Sequence, residues 1–197
     1  MSEMPTEDYE HTEHAMHAGH EAAGGNTFIG TVAMSIAVLA VVAATVGSLE
    51  TLESGNAISA KNEAVLFQNK ATDSWNFFQA KSLKKNMYEI AAATAADGPV
   101  KDDFIAKAKR NETESADIQT EAKKLEAESV AKLKEGDIHE TRHHILTGAV
   151  TLLHIGIAMA TIAIVTGGKR WPWYASILLG LGGVAATGWA YLPLAAH

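Results

Sequence analysis
Three stretches of this sequence are apolar and free of charged side chains, and one long polar stretch separates the first from the second. Residues 28–49 form an uncharged run of 22 residues, followed later by residues 145–165 and residues 173–192. A bilayer core of ~30 Å is crossed by about 20 helical residues, so each run is long enough to span it. The chain therefore divides into a tail at 1–26, a first transmembrane helix at 27–49, a coiled-coil-like hairpin at 50–144, a second transmembrane helix at 145–166, a short basic loop at 167–172 and a third transmembrane helix at 173–193. The predicted fold class is an all-α membrane protein. It has three transmembrane helices and a long extramembrane antiparallel helical hairpin between the first and second.

Small residues mark where helices are expected to meet. In the first span Ala33, Ala37, Ala40, Ala44 and Gly47 step by four, three, four and three, which sets them on one ridge open to close approach by a neighbour. The third span carries Ser176, Gly180, Gly183 and Thr187, and a second ridge of Gly182, Ala186 and Ala190. Two ridges predict two neighbours, one of which another subunit can supply. Gly167 and Gly168 end the second span, and Pro172 suits the opening turn of the third. Trp171, Trp173, Tyr174, Trp189 and Tyr191 are expected at the two membrane interfaces.

Within the polar stretch, Ser54-Gly55-Asn56 predicts a break or bend after the first span. A helix over 57–96 follows, with Phe67, Ala71, Trp75, Phe78, Met87 and Ile90 near one face. Asp97-Gly98-Pro99 is a turn, with Pro99 opening the return helix. That helix repeats Phe104, Ala108, Ser115, Ile118, Ala122, Leu125, Ser129 and Leu133 at coiled-coil spacing, interrupted by Asn111 and Lys132. Near Gly136 a break and restart is expected, because Asp137 with Glu140 matches a capping box. A seam of Ala and Ser transfers little apolar surface out of water. The group of Trp75, Phe77 and Phe78 exceeds what one thin helix covers. Either it packs inside its own hairpin or, with Phe67, it meets a second copy or another protein; the second is the expectation, since large exposed apolar patches are unusual in monomers.

A polar line crosses the second span. Glu140, His144, Thr147, Thr151, His154, Ala158 and Thr161 follow alternating steps of four and three. Polar groups at membrane depth are costly and are expected to face a bundle interior or a hydrated cavity. Hydrogen bonding between helices, with His154 satisfied by a Thr hydroxyl or backbone, is the structural reading. Proton relay or ion passage is the functional alternative, and haem ligation would need a second His from another chain. His139 and His143 also have the spacing of a two-ligand metal pair.

Charge narrows the function classes. The net charge is −7, and residues 1–60 contain no Lys or Arg but eight acidic side chains, the last two being Glu50 and Glu53. No basic footprint for nucleic acid is present. With no cysteine, thiolate chemistry and disulfides are excluded. In the tail, His11, His14, His17 and His20 recur every third residue. They read as the polar side of a solvated helix, or as a set of imidazoles able to share a divalent Zn, Ni or Cu ion. Beyond that metal no cofactor is implied. Neither a phosphate-binding glycine loop nor a nucleophile elbow occurs, so an enzyme is not expected. The Lys169-Arg170 loop places loop and tail in the cytoplasm and the hairpin in the periplasm.

Three segments resemble a family of small bacterial membrane proteins, domain-of-unknown-function family 4337. EHTEHAMHAGHE at 10–21 is similar to its His- and Ala-rich start, and MSIAVLAVVAATVGSLE at 34–50 to its first membrane helix. KNEAVLFQNKATDSWNFFQAKSLKKNMYE at 61–89 resembles its polar helix with Trp, paired aromatics, Gln-Ala-Lys and Tyr-Glu. The family's basic pair before the first span is missing here. The resemblance implies a bacterial inner-membrane location and three spans, and it implies no activity. The functional expectation is a non-enzymatic membrane protein that self-associates or scaffolds a larger membrane complex in the lipid bilayer. The alternative is metal-ion or proton sensing or transport.

Overall fold
The computed structural model describes residues 27–192. They form three α-helices: α1 (Thr27–Thr94), α2 (Pro99–Val165) and α3 (Arg170–Ala190). No strand occurs among the described residues.

The connections follow from local chemistry. Gly98, at φ 149°, and Pro99 turn the chain between α1 and α2, as expected. At the end of α2, Gly167 at φ 74° and Gly168 at φ 87° take left-handed conformations. Gly168 N–H donates to the Ala163 carbonyl at 3.0 Å and Gly167 N–H to Ile164 at 3.1 Å, the two bonds of a Schellman cap. Helix α3 starts at Arg170, three residues before the predicted span, with Pro172 in its first turn where no N–H is needed.

Two expected breaks are absent. Helix α1 runs without interruption through Ser54-Gly55-Asn56, and α2 through Gly136-Asp137. An isolated glycine weakens a helix by about 1 kcal/mol and does not itself end one. Gly136 is buried, and a Cβ there would stand 2.8 Å from Lys61 Cγ and 3.4 Å from the Ala57 carbonyl oxygen. Its glycine serves close approach, not a restart.

The chain divides into two compact units, one joining residues 27–56 with 138–192 and the other Ala57–Asp137. Residues 50–56 and 138–144 thus group with the apolar helices. In this apolar unit the core contains Val32, Ile36, Leu39, Ala43 and Val46 from α1 and Leu146, Ala149, Leu153, Ile157, Ala160 and Ala163 from α2. The α1 ridge expected to pack lies beside this face: Ala37 and Ala44 are exposed and Ala40 is half-buried. The branched side chains next to them bury more apolar area and take the core. The ridge of α3 is buried as expected. A Cβ on Gly180 would stand 2.5 Å from Leu39 Cδ2, and one on Gly183 2.7 Å from Leu153 Cγ, so both of its neighbours come from this chain.

In the unit Ala57–Asp137 the paired positions run in opposite directions. Ser129 Oγ donates to the Ala64 carbonyl at 2.9 Å, Trp75 Nε1 to Glu126 at 2.8 Å and Lys85 Nζ to Glu112 at 2.9 Å. Ala57, Ala60, Ala64 and Ala71 are buried against a face containing Ala108, Ser115, Ala122 and Ser129. Steps of three and four from Phe78 reach Lys81, Lys85, Tyr88 and Ala92, so Met87 and Ile90 are left exposed rather than on the seam. The lysine stems cover apolar surface while their ammonium groups pair with Glu114 and Glu112. Likewise Asn111 and Lys132 belong to the seam they were expected to interrupt, and Leu133 is exposed.

Candidate functional site
Two helices leave the apolar core carrying ionisable side chains at matched positions. Past Leu49, the last residue of its uncharged run, α1 presents Glu50 and Glu53, three residues apart and so on neighbouring positions of one helix face. Just before its own uncharged run, α2 presents His139, Arg142, His143 and Thr147. The structure brings these groups together. His139 Nδ1 lies 2.5 Å from Glu53 Oε2, and Arg142 Nη1 lies 3.9 Å from Glu53 Oε1. His143 Nδ1 is 3.5 Å from Glu50 Oε1, and the Thr147 hydroxyl is within 2.8 Å of that same oxygen. From the end of α3, the Tyr191 ring lies 5.3 Å from the Arg142 guanidinium.

Glu53 is 7% exposed. A buried carboxylate is tolerated when it is paired and hydrogen-bonded, and His139 and Arg142 supply that pairing from α2. Because Nδ1 of each histidine faces a carboxylate, the proton on that nitrogen is the one the carboxylate favours. The arrangement can clamp helix ends electrostatically and can exchange protons at its imidazoles. Among the described residues, no group of three or more His, Cys, Asp or Glu is arranged to hold a metal ion. The tail histidines His11, His14, His17 and His20 lie outside the described residues.

The polar line of α2 takes a place other than the one expected. His144, Thr147 and Thr151 are exposed, while His154 and Thr161 are half-buried. The interior face is the apolar one a residue away, Leu146, Leu153 and Ile157. The threonines return hydrogen bonds to their own helix, Thr151 to the Thr147 carbonyl at 2.8 Å and Thr161 to Ile157 at 3.0 Å. This internal bonding lets a threonine sit on an outer face without an interhelical partner.

The aromatic group in the other unit is divided. Trp75 and Phe78 are half-buried and pack edge to face with centroids 5.5 Å apart, Phe67 is half-buried on the seam, and Phe77 is 53% exposed. Sequence reading singled out His139 and His143 but missed Glu50, Glu53 and Arg142. The available signal was that Glu50 and Glu53 are the only charged residues between Glu21 and Lys61. It also missed Gly156, where a Cβ would stand 3.2 Å from the Ser176 carbonyl oxygen.

Two of the helices, α1 and α2, are long and apolar enough to cross a membrane, whereas α3, with its glycines and terminal aromatics, is not among them. Fold and site together define an all-helical protein with two helices of membrane-crossing length and apolarity, its ionic cluster lying at the ends of the apolar stretches. The chain belongs to the family described as a domain of unknown function, DUF4337, whose model matches residues 28–193. No curated protein and no solved structure matches it.

Proposed function
We propose that the chain is a three-span protein of the bacterial inner membrane with no enzymatic role, acting as a self-associating scaffold or accessory subunit of a larger membrane complex. The observation that carries this reading is the polar line on the outer face of α2. Thr147, Thr151 and His144 are exposed beside a wholly apolar buried face. Polar side chains facing lipid are costly. The threonine hydroxyls are bonded within α2, so the cost falls on the exposed His144 imidazole at the head of the span, and a protein neighbour removes it. Helix α3 serves as the third span: its 21 residues extend ~31 Å at 1.5 Å per residue. The antiparallel hairpin stands outside the membrane, on the periplasmic side. The tail and the Lys169-Arg170 loop are cytoplasmic, in keeping with the bias of short cytoplasmic loops towards Lys and Arg. The phenylalanines on the hairpin, with Phe77 the most open, offer a further contact.

Native mass spectrometry of the protein released gently from its own membranes tests this. A homo-oligomeric mass supports self-association, and a mass containing other proteins supports the accessory form. A mass of one chain alone rejects both.

A second reading, proton sensing or transport, draws on the Glu50, Glu53, His139 and His143 cluster standing at the head of the Thr147, Thr151, His154 line. It predicts proton flux into vesicles that His143→Ala and His154→Ala each abolish. Equal flux in wild type and both variants removes it.

A further inference from the structure
We infer that the groove between the first half of the α1 span and the start of α3 binds an acyl chain of an anionic phospholipid, whose phosphate is held by Lys169 and Arg170. This inference rests on the membrane-spanning reading proposed above and names a ligand for one part of it.

The groove has a volume of about 570 Å³. Thr27, Thr31, Met34 and Val38 wall it on α1, stepping by four, three and four along one exposed face, and Ile177 walls it on α3. Its hydroxyls are bonded internally. Thr31 donates to the Thr27 carbonyl at 3.0 Å, and Ser35 donates to the Thr31 carbonyl at 2.9 Å while accepting from Trp173 Nε1 at 3.1 Å. The surface left to face a ligand is therefore apolar. At its inner end the groove closes on Leu39, where α3 comes so near that a Cβ on Gly180 would stand 2.5 Å from Leu39 Cδ2.

Depth and charge identify the occupant. From Thr27 to Val38 the groove runs roughly 17 Å at 1.5 Å per residue. Half of a bilayer core of ~30 Å is ~15 Å, so the groove opens at the head of the span and closes near its middle. A partner helix makes contact across both leaflets, whereas an acyl chain occupies one. The open end is basic. Arg170 shares a face of α3 with Trp173 and Ile177 at steps of three and four, and its guanidinium lies 5.6 Å from the centre of the Phe28 ring. Phe28 in turn packs edge to face on Trp173 at 5.8 Å. Lys169 and Arg170 are exposed, and no Asp or Glu occurs at 27–49 or 145–197 to neutralise them. Helix α3 also begins there without a side-chain cap, so its first N–H groups add to the attraction for a phosphate. Basic side chains at the cytoplasmic end of a groove between spans recognise anionic headgroups. Residues 1–26 carry six acidic side chains but no apolar run with which to fill the groove.

The full-length protein in detergent is given phosphatidylglycerol or phosphatidylcholine with identical acyl chains, and retained lipid is counted by native mass spectrometry. The expected result is one phosphatidylglycerol per chain, held on the order of tenfold more tightly than phosphatidylcholine. Lys169→Gln with Arg170→Gln should abolish that preference. Lys123→Gln with Lys124→Gln, the same charge change on the hairpin, should keep it. Val38→Trp fills the groove from an exposed position and should lose the lipid with both cations still in place. Circular dichroism matching wild type shows that each variant is folded. Equal retention of the two lipids, a preference that survives the Lys169 and Arg170 changes or falls as far in the hairpin control, or unchanged retention in Val38→Trp overturns the site and leaves the membrane reading standing. Release of the wild-type chain from its membranes by alkaline carbonate overturns the membrane reading itself.

Discussion
Gly136 on α2 lies so close to Lys61 on α1 that a Cβ added to it would stand 2.8 Å from the lysine Cγ. Gly136→Ala must push the Lys61 stem aside and disturb its ion pair with Asp137, 3.5 Å away. Overpacking of this kind costs about 1–3 kcal/mol. Gly55, on the other helix, has open space around it. Gly55→Ala is expected to stabilise by up to about 1 kcal/mol through helix propensity. Thermal melts of the two variants followed by circular dichroism should therefore move in opposite directions. A Gly136→Ala protein melting at or above wild type would remove the close-approach argument.

The glycines of α3 make a graded series. At Gly183 an added methyl meets Leu153 Cγ at 2.7 Å and the Ala149 carbonyl oxygen at 3.0 Å, and backbone cannot step aside. At Gly180 it meets only the Leu39 methyl, the far end of a flexible side chain. At Gly182 the nearest atom is 3.9 Å away. Melting temperatures in detergent should fall most for Gly183→Ala, less for Gly180→Ala and scarcely for Gly182→Ala, the first reflecting a loss of about 2 kcal/mol in stability. A reversed order would mean α3 is not seated as described.

How much of this was legible beforehand depends on the kind of signal. The helices announced themselves through uncharged runs and steps of three and four. The Gly98-Pro99 turn and the Gly167-Gly168 cap followed from backbone chemistry alone. The packed face of α1 was harder, because Ala37 and Ile36 are both apolar and periodicity cannot rank two apolar faces of one helix. Lys85 and Tyr88 displaced Met87 and Ile90 because unbroken register from Phe78 outweighs residue type, given a lysine stem that packs and a head that pairs. Glu53 meets His139 across 86 positions of chain. Local spacing carries no trace of such a pair.

Ser176 is fully buried, and its hydroxyl has no hydrogen-bond partner. A buried donor left unmade is a penalty, so deleting it should gain stability despite the small cavity. Ser176→Ala is expected to raise the melting temperature, by about 1 kcal/mol in stability. Ser176→Val, adding bulk beside Gly156, should lower it. If the alanine variant melts clearly below wild type, the hydroxyl has a partner after all.

Acid sensitivity should trace to Glu114. Hydrogen bonds from Lys81 and then Arg110 lower its carboxyl from 4.5 to about 2. A depressed carboxyl stabilises the folded chain fully above its unfolded value, and that contribution is lost as pH falls from about 4.5 through about 2. Between those limits wild type should lose more melting temperature per pH unit than Glu114→Gln, which cannot titrate. Parallel pH profiles for the two proteins would show that the Lys81 and Arg110 contacts do not bias folding.

The ionic site makes the sharpest demand on stability. Glu53 holds His139 and Arg142 with its side chain only 9% exposed, whereas that of Glu50 is 26% exposed. Removing one member of a fully buried pair costs about 3–5 kcal/mol, because the remaining charge stays desolvated. Arg142 keeps 31% side-chain exposure, so water recovers part of that loss and Glu53→Ala is expected to cost about 2–3 kcal/mol. Glu50→Ala, nearer the surface, should cost about 1 kcal/mol. Contacting groups are not additive, so the double variant Glu53→Ala with His139→Ala should be less destabilised than the sum of its singles. Melting curves at pH 7 for the four proteins of that cycle measure the coupling. Simple additivity would mean that Glu53 and His139 are neighbours without being partners, and Glu53 would then be held by Arg142 alone.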